Sequence, residues 1–392
     1  MLPTHGKKPV KLRYESFGGI LATEEPPALV FADADLVRSL GYPASPLWDR
    51  PDTGVLSAPV EAHAALTRHC PAGCPGCYMD AAPDPGALGE DGLPRALEML
   101  SGLAEMGVFH VALGGGESFL LPWLFEAARR CRSLGMVPNV TTSGLAMTPE
   151  QAYECRVFGQ VNVSLDAVDE RFSRTRGGSF EKADRAVRLL KENKIRVGIN
   201  CVVSRENYAA LPEILAYAKS RGLCDVELLR FKPSGRGRDL YEKMRLTREQ
   251  AIGLLPRLKK LAWRHRLPIK LDCSFTPFVA FHGPQPKVMD YFAVLGCEAA
   301  NWLIGVSPEG RVSPCSFLEG PGQDLASLKD SWAENAAFAP FRRFADTAKA
   351  PCSKCRYLSL CKGGCRAVAL FVTGDPLAPD PECPLANQGF RA

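Results

Sequence analysis

The sequence predicts an α/β protein built on an open, partial (β/α)6 TIM-like barrel, with a loop-rich C-terminal domain and a small N-terminal extension. Two observations predict this fold class. From about residue 58 to 235, six short β-rich runs alternate with stretches of helical periodicity. After about residue 271 the periodicity ends, and Pro, Gly and Cys recur. Strand–helix alternation is typical of a parallel sheet with right-handed crossovers. Six units are too few for the usual eight-stranded closed barrel.

The six strand candidates are short β-rich runs that precede segments with apolar residues at helical spacing. They are Val60–Leu66, Val108–Leu113, Val137–Thr141, Gln160–Ser164, Val197–Val203 and Val226–Phe231. One intervening helix is predicted after Ser179, a residue type that commonly caps helices. A long helix is predicted from Leu246 to His265.

The chain of 392 residues is long enough for two or three domains. We predict a small N-terminal element at residues 1–55, a barrel at 56–240, a helical bridge at 241–290 and a C-terminal domain at 291–392. A segment as loop-rich as the last would need metal centres to supply the stability that a core normally provides.

The composition and charge of the chain limit the kinds of function that it can have. Hydrophobic residues make up 46% and charged residues 23%, as in ordinary soluble proteins. The net charge of +5 comes from interspersed acids and bases and does not require a nucleic-acid partner. The longest apolar runs are far short of a membrane span. Residues 1–8 lead into no apolar segment, so no export signal is predicted and a cytoplasmic location is expected.

The chain contains 15 cysteines, which is unusual without an export signal. A disulfide framework needs an oxidising compartment, whereas clustered cysteines in a cytosolic chain are more often metal ligands or catalytic groups. Ten of the cysteines fall into two clusters, at residues 70–77 and 297–383. The other five are interpreted first as small buried hydrophobes. These five are Cys131, Cys155, Cys201, Cys224 and Cys273.

The first cluster, Cys70-x3-Cys74-x2-Cys77, follows the first barrel strand. Three thiolates in one tight loop can hold three irons of a four-iron cluster and leave the fourth iron open to a small molecule. The alternative is structural zinc, with His69 as a fourth ligand, but its position beside Cys70 makes that geometry awkward. The spacing favours iron–sulfur.

The loop Cys70-x3-Cys74-x2-Cys77, followed by the aromatic residue Tyr78, resembles the signature of the radical S-adenosylmethionine (SAM) superfamily. The resemblance implies that the three cysteines bind a [4Fe–4S] cluster. It also implies that SAM chelates the open iron through its amino and carboxylate groups. Reduction would then cleave SAM to methionine and a 5′-deoxyadenosyl radical.

Further motifs of that superfamily follow at strand ends. Gly114–Glu117 resembles its Gly-Gly-Glu motif, which contacts the methionine amino group, although Ser118 replaces the usual proline. On its own the motif is also compatible with a plain glycine-rich turn. In related enzymes a Ser and an Arg hold the ribose and the carboxylate of SAM. The guanidinium of an Arg can bind a carboxylate through two parallel hydrogen bonds. The residues that the resemblance assigns to SAM are Gly115, Gly116, Glu117, Ser143, Ser164 and Arg176.

The seven later cysteines resemble the SPASM extension of the superfamily over about residues 297–385, which carries two auxiliary [4Fe–4S] clusters. Three clusters are therefore expected in total. By resemblance, the ligands of the outer auxiliary cluster are Cys352, Cys355, Cys361 and Cys383, and those of the inner one are Cys297, Cys315 and Cys365. The inner set is one ligand short. Either Cys273 completes it or one iron is open to substrate.

The expected substrate is a peptide. The run Phe231–Gly237 resembles the equivalent run in mycofactocin and pyrroloquinoline-quinone maturases, which implies C–H abstraction and then cross-linking, decarboxylation or oxidation of a ribosomally made precursor. Two alternatives stay open. Gly374–Pro376 with Asp380–Cys383 equally resembles haem-pathway enzymes that modify tetrapyrrole side chains. The chain is alternatively a non-catalytic iron–sulfur electron carrier, against which the retained SAM motifs count.

Partners follow from the same resemblance. Arg13–Leu21 resembles the opening of small domains that bind leader peptides by strand addition, but the N-terminal element is short for that whole domain. It is alternatively a vestige, or an edge strand that packs on the barrel. An electron donor such as flavodoxin or ferredoxin is expected as a partner. Binding to nucleic acid or to a membrane is not expected. No catalytic acid or base is assigned, and the candidates to face the barrel interior are Asp166, Glu227, Lys232 and Arg236.

Overall fold

The computed structural model describes residues 11–24, 27–84, 92–318 and 322–386. Residues 1–8, on which the expected absence of an export signal rests, lie outside the described part of the chain. Across the described residues, no helix combines the length and the apolar character needed to cross a membrane.

The strands are β1 (Lys11–Glu15), β2 (Gly18–Glu24), β3 (Pro27–Asp33), β4 (Glu61–Thr67), β5 (His110–Gly115), β6 (Val137–Thr142), β7 (Val161–Ser164), β8 (Val197–Val203), β9 (Val226–Arg230), β10 (Ile269–Leu271), β11 (Leu303–Val306), β12 (Arg311–Ser313) and β13 (Gln323–Asp324). The helices are α1 (Ala34–Ser39), α2 (Gly92–Met106), α3 (Leu124–Ser133), α4 (Pro149–Glu154), α5 (Phe172–Thr175), α6 (Phe180–Glu192), α7 (Leu211–Ser220), α8 (Gly237–Met244), α9 (Arg248–His265), α10 (Thr276–Phe281), α11 (Pro286–Tyr291), α12 (Leu325–Ser331), α13 (Ala339–Arg342), α14 (Phe344–Thr347), α15 (Leu358–Cys361) and α16 (Arg366–Thr373).

The large sheet confirms the predicted α/β partial barrel. Its strand order is β10-β9-β8-β7-β6-β5-β4-β11-β12-β13, and the six predicted strands are β4 to β9. Two more strands extend the parallel run: β10 beside β9, and β11 beside β4. Neither was predicted, because both are short and lie after residue 235, where the strand–helix alternation of the sequence ends. Strands β12 and β13 then add antiparallel pairs at the same edge as β11.

Alternation along the strands separates the helix-facing core from the barrel lumen. In β6, Pro138, Val140 and Thr142 are buried while Asn139 and Thr141 are partly exposed. Because successive side chains of a strand point to opposite faces, one set packs under the helices and the other lines the lumen. Helix α6 buries the face that its spacing predicts, whereas Ser179 stands at its N-cap position without a side-chain capping hydrogen bond.

The N-terminal element is a three-stranded antiparallel sheet in the order β1-β2-β3, followed by α1. Strand β1 is attached to the barrel. Arg13 is 9% exposed, and its Nη1 donates to the carbonyl oxygens of Pro59 at 2.8 Å and Gly107 at 3.1 Å. Its Nε pairs with the buried Glu15 at 2.7 Å. Among the described residues, β3 pairs only with β2, so its outer edge is open.

The C-terminal region holds more regular structure than its sequence predicts. In the part of this region that the structure describes, seven helices of four to eight residues, α10 to α16, connect the loops. Helices this short show too little periodicity for a sequence pattern to reveal them. Two small hydrophobic clusters lie here, one that includes Cys297, Cys315 and Cys365, and another that includes Cys355 and Cys361.

Candidate active site

A cavity of about 1100 Å³ occupies the barrel and opens around the cysteine loop. The structure brings together at its wall all three cysteines of the loop and all six residues that the sequence assigns to SAM. These nine residues are Cys70, Cys74, Cys77, Gly115, Gly116, Glu117, Ser143, Ser164 and Arg176. The cysteines come from one loop, and five of the other residues come from the carboxyl ends of β5, β6 and β7. Arg176 directly follows α5. Active sites of such barrels lie at the carboxyl ends of the strands.

The cysteine loop is fixed by contacts from two distant segments. The backbone N–H of Gly177 donates to Cys74 Sγ at 3.3 Å. A Cβ at Gly177 would lie 1.3 Å from the carbonyl oxygen of Ala72, so no side chain fits there. Arg236 donates to the Cys74 carbonyl oxygen at 3.3 Å and pairs with Asp80 at 2.8 Å. Arg236 therefore contacts the loop from outside the cavity, whereas Asp166, Glu227 and Lys232 line the cavity.

The donor set suits an iron–sulfur cluster better than one zinc ion. Zinc holds thiolates about 2.3 Å from a common point. Within the described ranges, no three His, Cys, Asp or Glu side chains are placed to hold a single metal ion. A four-iron cluster binds one thiolate at each iron, which spreads the ligands. Burial raises the pKa of the Cys70 thiol to about 11, so metal binding there releases a proton.

The Gly-Gly-Glu segment is packed tightly against the start of the cysteine loop. Gly115 has φ +115°, and a Cβ at Gly116 would lie 2.0 Å from the His69 carbonyl oxygen. Glu117 is 2% exposed, and its carboxylate accepts hydrogen bonds from Thr142 Oγ1 at 2.8 Å and from the backbone and hydroxyl of Ser143. Glu117 thus joins the ends of β5 and β6 at the cavity wall.

Arg176 forms a bidentate ion pair that the sequence did not predict. Its Nε and Nη2 donate to the two carboxylate oxygens of Asp166 at 2.7 and 3.1 Å. Asp166 also accepts the backbone N–H of Val202 at 2.8 Å. Burial opposes the charge of Arg176, but Asp166 raises its pKa above the ordinary value. Because Nε and Nη2 donate to Asp166, Nη1 is the remaining nitrogen of the Arg176 guanidinium.

The lumen carries further polar groups, of which Glu227 was predicted from the sequence and Glu61, His63 and Ser316 were not. His63 Nε2 lies 3.3 Å from Glu61, and its Nδ1 lies 2.9 Å from Ser316 Oγ. Burial would lower the pKa of His63, but Glu61 and then Glu227 raise it above the ordinary value. Burial and the charge of Asp272 raise the pKa of Glu227. The available signal was the alternation of β4, which turns Glu61 and His63 to the same face.

An aromatic contact joins the cysteine loop to the C-terminal segment that contains Cys315. The rings of Tyr78 and Phe317 lie 5.0 Å apart, and Tyr78 follows Cys77 directly. Burial raises the pKa of Tyr78 to about 12, with the charges of Cys77 and Cys315 adding to the effect. Lys232 lies 4.4 Å over the Phe317 ring and pairs with Asp272.

The C-terminal cysteines form two groups, and all 15 cysteines of the chain are free. In the first group, burial and then the charge of Cys297 raise the pKa of Cys315 to about 12, with Cys365 contributing. Burial and then Cys297 likewise raise the pKa of Cys273, again with Cys365 contributing. In the second group burial is again the largest cause of the raised thiol pKa values. The charge of Cys355 adds to it at Cys352, those of Cys383 and Cys352 at Cys361, and that of Cys352 at Cys383. The structure therefore places Cys273 beside the inner set.

Comparison with known proteins identifies the class. The model of the radical SAM superfamily matches residues 65–218. The chain is 30% identical over 342 residues to the mycofactocin maturase MftC of Mycobacterium tuberculosis, covering 84% of this chain and 83% of that protein. The chain belongs to the radical SAM superfamily. It is an enzyme, and a [4Fe–4S] cluster and SAM are its cofactors.

Further similar proteins include a peptide cyclase and a protein whose structure is known with a precursor peptide bound. The PqqA peptide cyclase of Methylocella silvestris is 29% identical over 339 residues, covering 84% of this chain and 88% of that protein. Crystal structures of Streptococcus suis SuiB share the fold at 16% identity. SuiB bound to SAM has a TM-score of 0.76 and covers 96% of this chain and 100% of that chain. SuiB bound to its precursor peptide SuiA has a TM-score of 0.74, covering 95% and 98%.

Proposed function

We propose that this enzyme modifies a ribosomally made precursor peptide by abstracting hydrogen from a C–H bond, which leads to a cross-link, a decarboxylation or an oxidation. The observation that carries the proposal is the single cavity that joins the three-cysteine loop to the predicted SAM contacts and to the polar lumen. The PqqA peptide cyclase and SuiB supply the substrate class, because the name of the first and the peptide-bound structure of the second refer to peptides.

The residues of this chain bind and orient the cofactors. Cys70, Cys74 and Cys77 hold the [4Fe–4S] cluster, which with SAM supplies a hydrogen-abstracting 5′-deoxyadenosyl radical. Glu117 would accept a hydrogen bond from the SAM amino group, and Nη1 of Arg176 would pair with the SAM carboxylate. Gly115 and Gly116 would let the cofactor approach the backbone, and Ser164 would donate to it. Ser143, whose hydroxyl donates to Glu117, would line the cofactor site from the neighbouring strand end.

We infer that two auxiliary [4Fe–4S] clusters complete the enzyme. The outer cluster is held by Cys352, Cys355, Cys361 and Cys383, and the inner one by Cys297, Cys315, Cys365 and Cys273. After burial, the charges of Cys297 and Cys365 contribute to the raised pKa of the Cys273 thiol, which supports Cys273 as the fourth inner ligand. Tyr78 and Phe317 line the cavity, and Phe317 follows Cys315 by two residues. A cluster held by the inner cysteines would accept the electron that the substrate radical loses after hydrogen abstraction.

Substitution Cys273→Ala is expected to remove or convert the inner cluster. The wild-type enzyme, reconstituted anaerobically, should hold about twelve irons per chain, and the variant about eight or a cluster with a changed electron paramagnetic resonance (EPR) spectrum. The matched control is Cys224→Ala, because Cys224 is a half-buried thiol outside both groups. If Cys273→Ala keeps twelve irons and an unchanged spectrum, the inner cluster has an open iron instead.

Two partners belong to the proposal. The open edge of β3 offers unpaired backbone groups for strand addition by a leader peptide. A low-potential one-electron carrier, such as flavodoxin or ferredoxin, supplies the electron that SAM cleavage consumes. The 15 free cysteines suit a reducing compartment, so we propose a cytoplasmic location.

The deciding experiment incubates the reconstituted enzyme anaerobically with dithionite, SAM and synthetic copies of short peptides encoded beside its gene. We expect 5′-deoxyadenosine to form together with a mass change in one peptide, seen by mass spectrometry. A parallel reaction contains a haem-pathway porphyrinogen. Modification of the porphyrinogen and of no peptide would replace the proposal with the tetrapyrrole alternative.

A further inference from the structure

Three polar side chains from neighbouring strands form one row on the wall of the barrel lumen. Ser164 of β7 is the register partner of Asn200 of β8, and Asn200 is the register partner of Glu227 of β9. All three line the cavity. Neighbouring strands lie about 4.8 Å apart, so Glu227 is about 10 Å from Ser164 along the sheet. Because Ser164 is a predicted SAM contact, the row leads from the cofactor site to the Glu227 carboxylate.

The carboxylate of Glu227 makes no hydrogen bond and no ion pair with any residue that the structure describes. Burial is the largest cause of the raised pKa of Glu227, and the charge of Asp272 is the next. A carboxylate removed from water is unfavourable unless a cation or hydrogen-bond donors face it. A bound molecule that brings such groups would therefore be attracted to Glu227.

The charged groups around Glu227 are already paired with one another. The pairs are Lys270 with Asp225 at 2.8 Å, His63 with Glu61 at 3.3 Å, and Lys232 with Asp272. Each of these cations faces a carboxylate other than Glu227. Within the described ranges, none is left to form an ion pair with Glu227, and the counter-charge must come from a ligand.

Asn200 presents a second unsatisfied acceptor beside Glu227. Its Nδ2 donates to Thr141 Oγ1 at 3.2 Å, whereas its Oδ1 is buried and has no hydrogen-bond partner among the described residues. An ionised carboxylate and an amide oxygen only accept hydrogen bonds. A ligand that satisfies both must carry several donors, which excludes an apolar side chain and a carboxylate. The ammonium of lysine has three donors and the guanidinium of arginine has five, and both are cations.

We propose that Glu227 is a specificity-determining residue that binds a lysine or arginine side chain of the precursor peptide, with Asn200 Oδ1 accepting a further hydrogen bond. The ion pair holds this part of the peptide on the wall that also carries Ser164. Exclusion of water from the lumen strengthens the attraction, and the bound cation keeps the carboxylate ionised. This inference rests on the proposed function, because it assumes a peptide substrate.

The test is a double-mutant cycle on peptide binding. The ligand is the peptide that the wild-type enzyme modifies in the assay of the proposed function, labelled with a fluorophore. Fluorescence anisotropy measures its binding to the iron-replete enzyme with SAM and without reductant. Each lysine or arginine of the peptide is replaced in turn by norleucine. We expect one such replacement, and Glu227→Gln, each to weaken binding by about tenfold or more. Together they should weaken it little more than either does alone.

The matched control is Glu192→Gln, because Glu192 is an exposed carboxylate at the end of α6 and does not line the cavity. It should leave peptide affinity unchanged. Additive effects of Glu227→Gln and every replacement would overturn the inference. If Glu227→Gln does not fold, the wild-type enzyme decides, since unchanged affinity for every replaced peptide would also overturn it. A wild-type enzyme that modifies no peptide would instead overturn the proposed function.

Discussion

Replacement of Cys74 by alanine is expected to abolish formation of 5′-deoxyadenosine from SAM. Cys74 is the middle cysteine of the loop, and the Gly177 N–H donates to its sulfur. Without this thiolate the loop retains two ligands, too few to hold a [4Fe–4S] cluster that keeps one iron open for SAM. Iron content should fall by about four per chain, while the C-terminal cysteines retain theirs. Iron analysis and chromatographic detection of 5′-deoxyadenosine measure the two effects.

The control for this prediction is Cys131→Ala. Cys131 is a fully buried thiol of α3, and burial raises its pKa to about 12, as is typical of an inert structural cysteine. We expect this variant to keep its iron and its SAM cleavage and to lose about 1 kcal/mol of stability. Substantial 5′-deoxyadenosine formation by Cys74→Ala would contradict the assignment of the loop.

Glu117→Gln is expected to weaken SAM binding by at least tenfold, about 1.4 kcal/mol, and also to destabilise the fold. The carboxylate is buried and accepts hydrogen bonds from Thr142 and Ser143 and, at 3.3 Å, from the backbone N–H of Phe119. A glutamine has only one accepting oxygen for these donors and loses the charge that attracts the SAM amino group. Hydrogen bonds to charged groups contribute about 1.5–3 kcal/mol, which sets the scale of the stability loss.

Isothermal titration calorimetry of the reconstituted enzyme with SAM, and thermal unfolding, measure the two effects separately. Glu126→Gln is the matched control, because Glu126 is an exposed residue in the first turn of α3. It should leave SAM affinity unchanged and stability within about 0.5 kcal/mol. If Glu117→Gln lowers stability but binds SAM as well as the wild type does, Glu117 only joins β5 to β6.

The sequence predicted the barrel well because its six central strands each precede a stretch with apolar residues at helical spacing, so that strands and helices alternate along the chain. It also predicted which residues meet at the cavity. The three cysteines lie within eight residues of one another, and the other six follow strand ends, which a parallel sheet brings to one edge. The side-chain assignments at the SAM contacts stay predictions.

Other features were beyond the reach of any local pattern. Strand β11 pairs with β4 although some 240 residues separate them, and Asp380 meets Arg230 across 150 residues. Arg176 was assigned to SAM from its position after a strand, yet Asp166 takes two of its donor groups. Arg236 was expected to be a candidate for the lumen, and it supports the cysteine loop from outside the cavity instead.

The sequence by itself determined the chemistry of this protein, because ligand spacing in a short loop and glycines at strand ends are local properties that need no knowledge of distant contacts. Only the tertiary structure decided which distant groups act on that chemistry. It placed Cys273 beside Cys297 and Cys365, and it set Glu227 beside Asn200 on the wall of the cavity. The physical reason is that burial and charge interaction depend on distance in space, which separation along the chain does not determine.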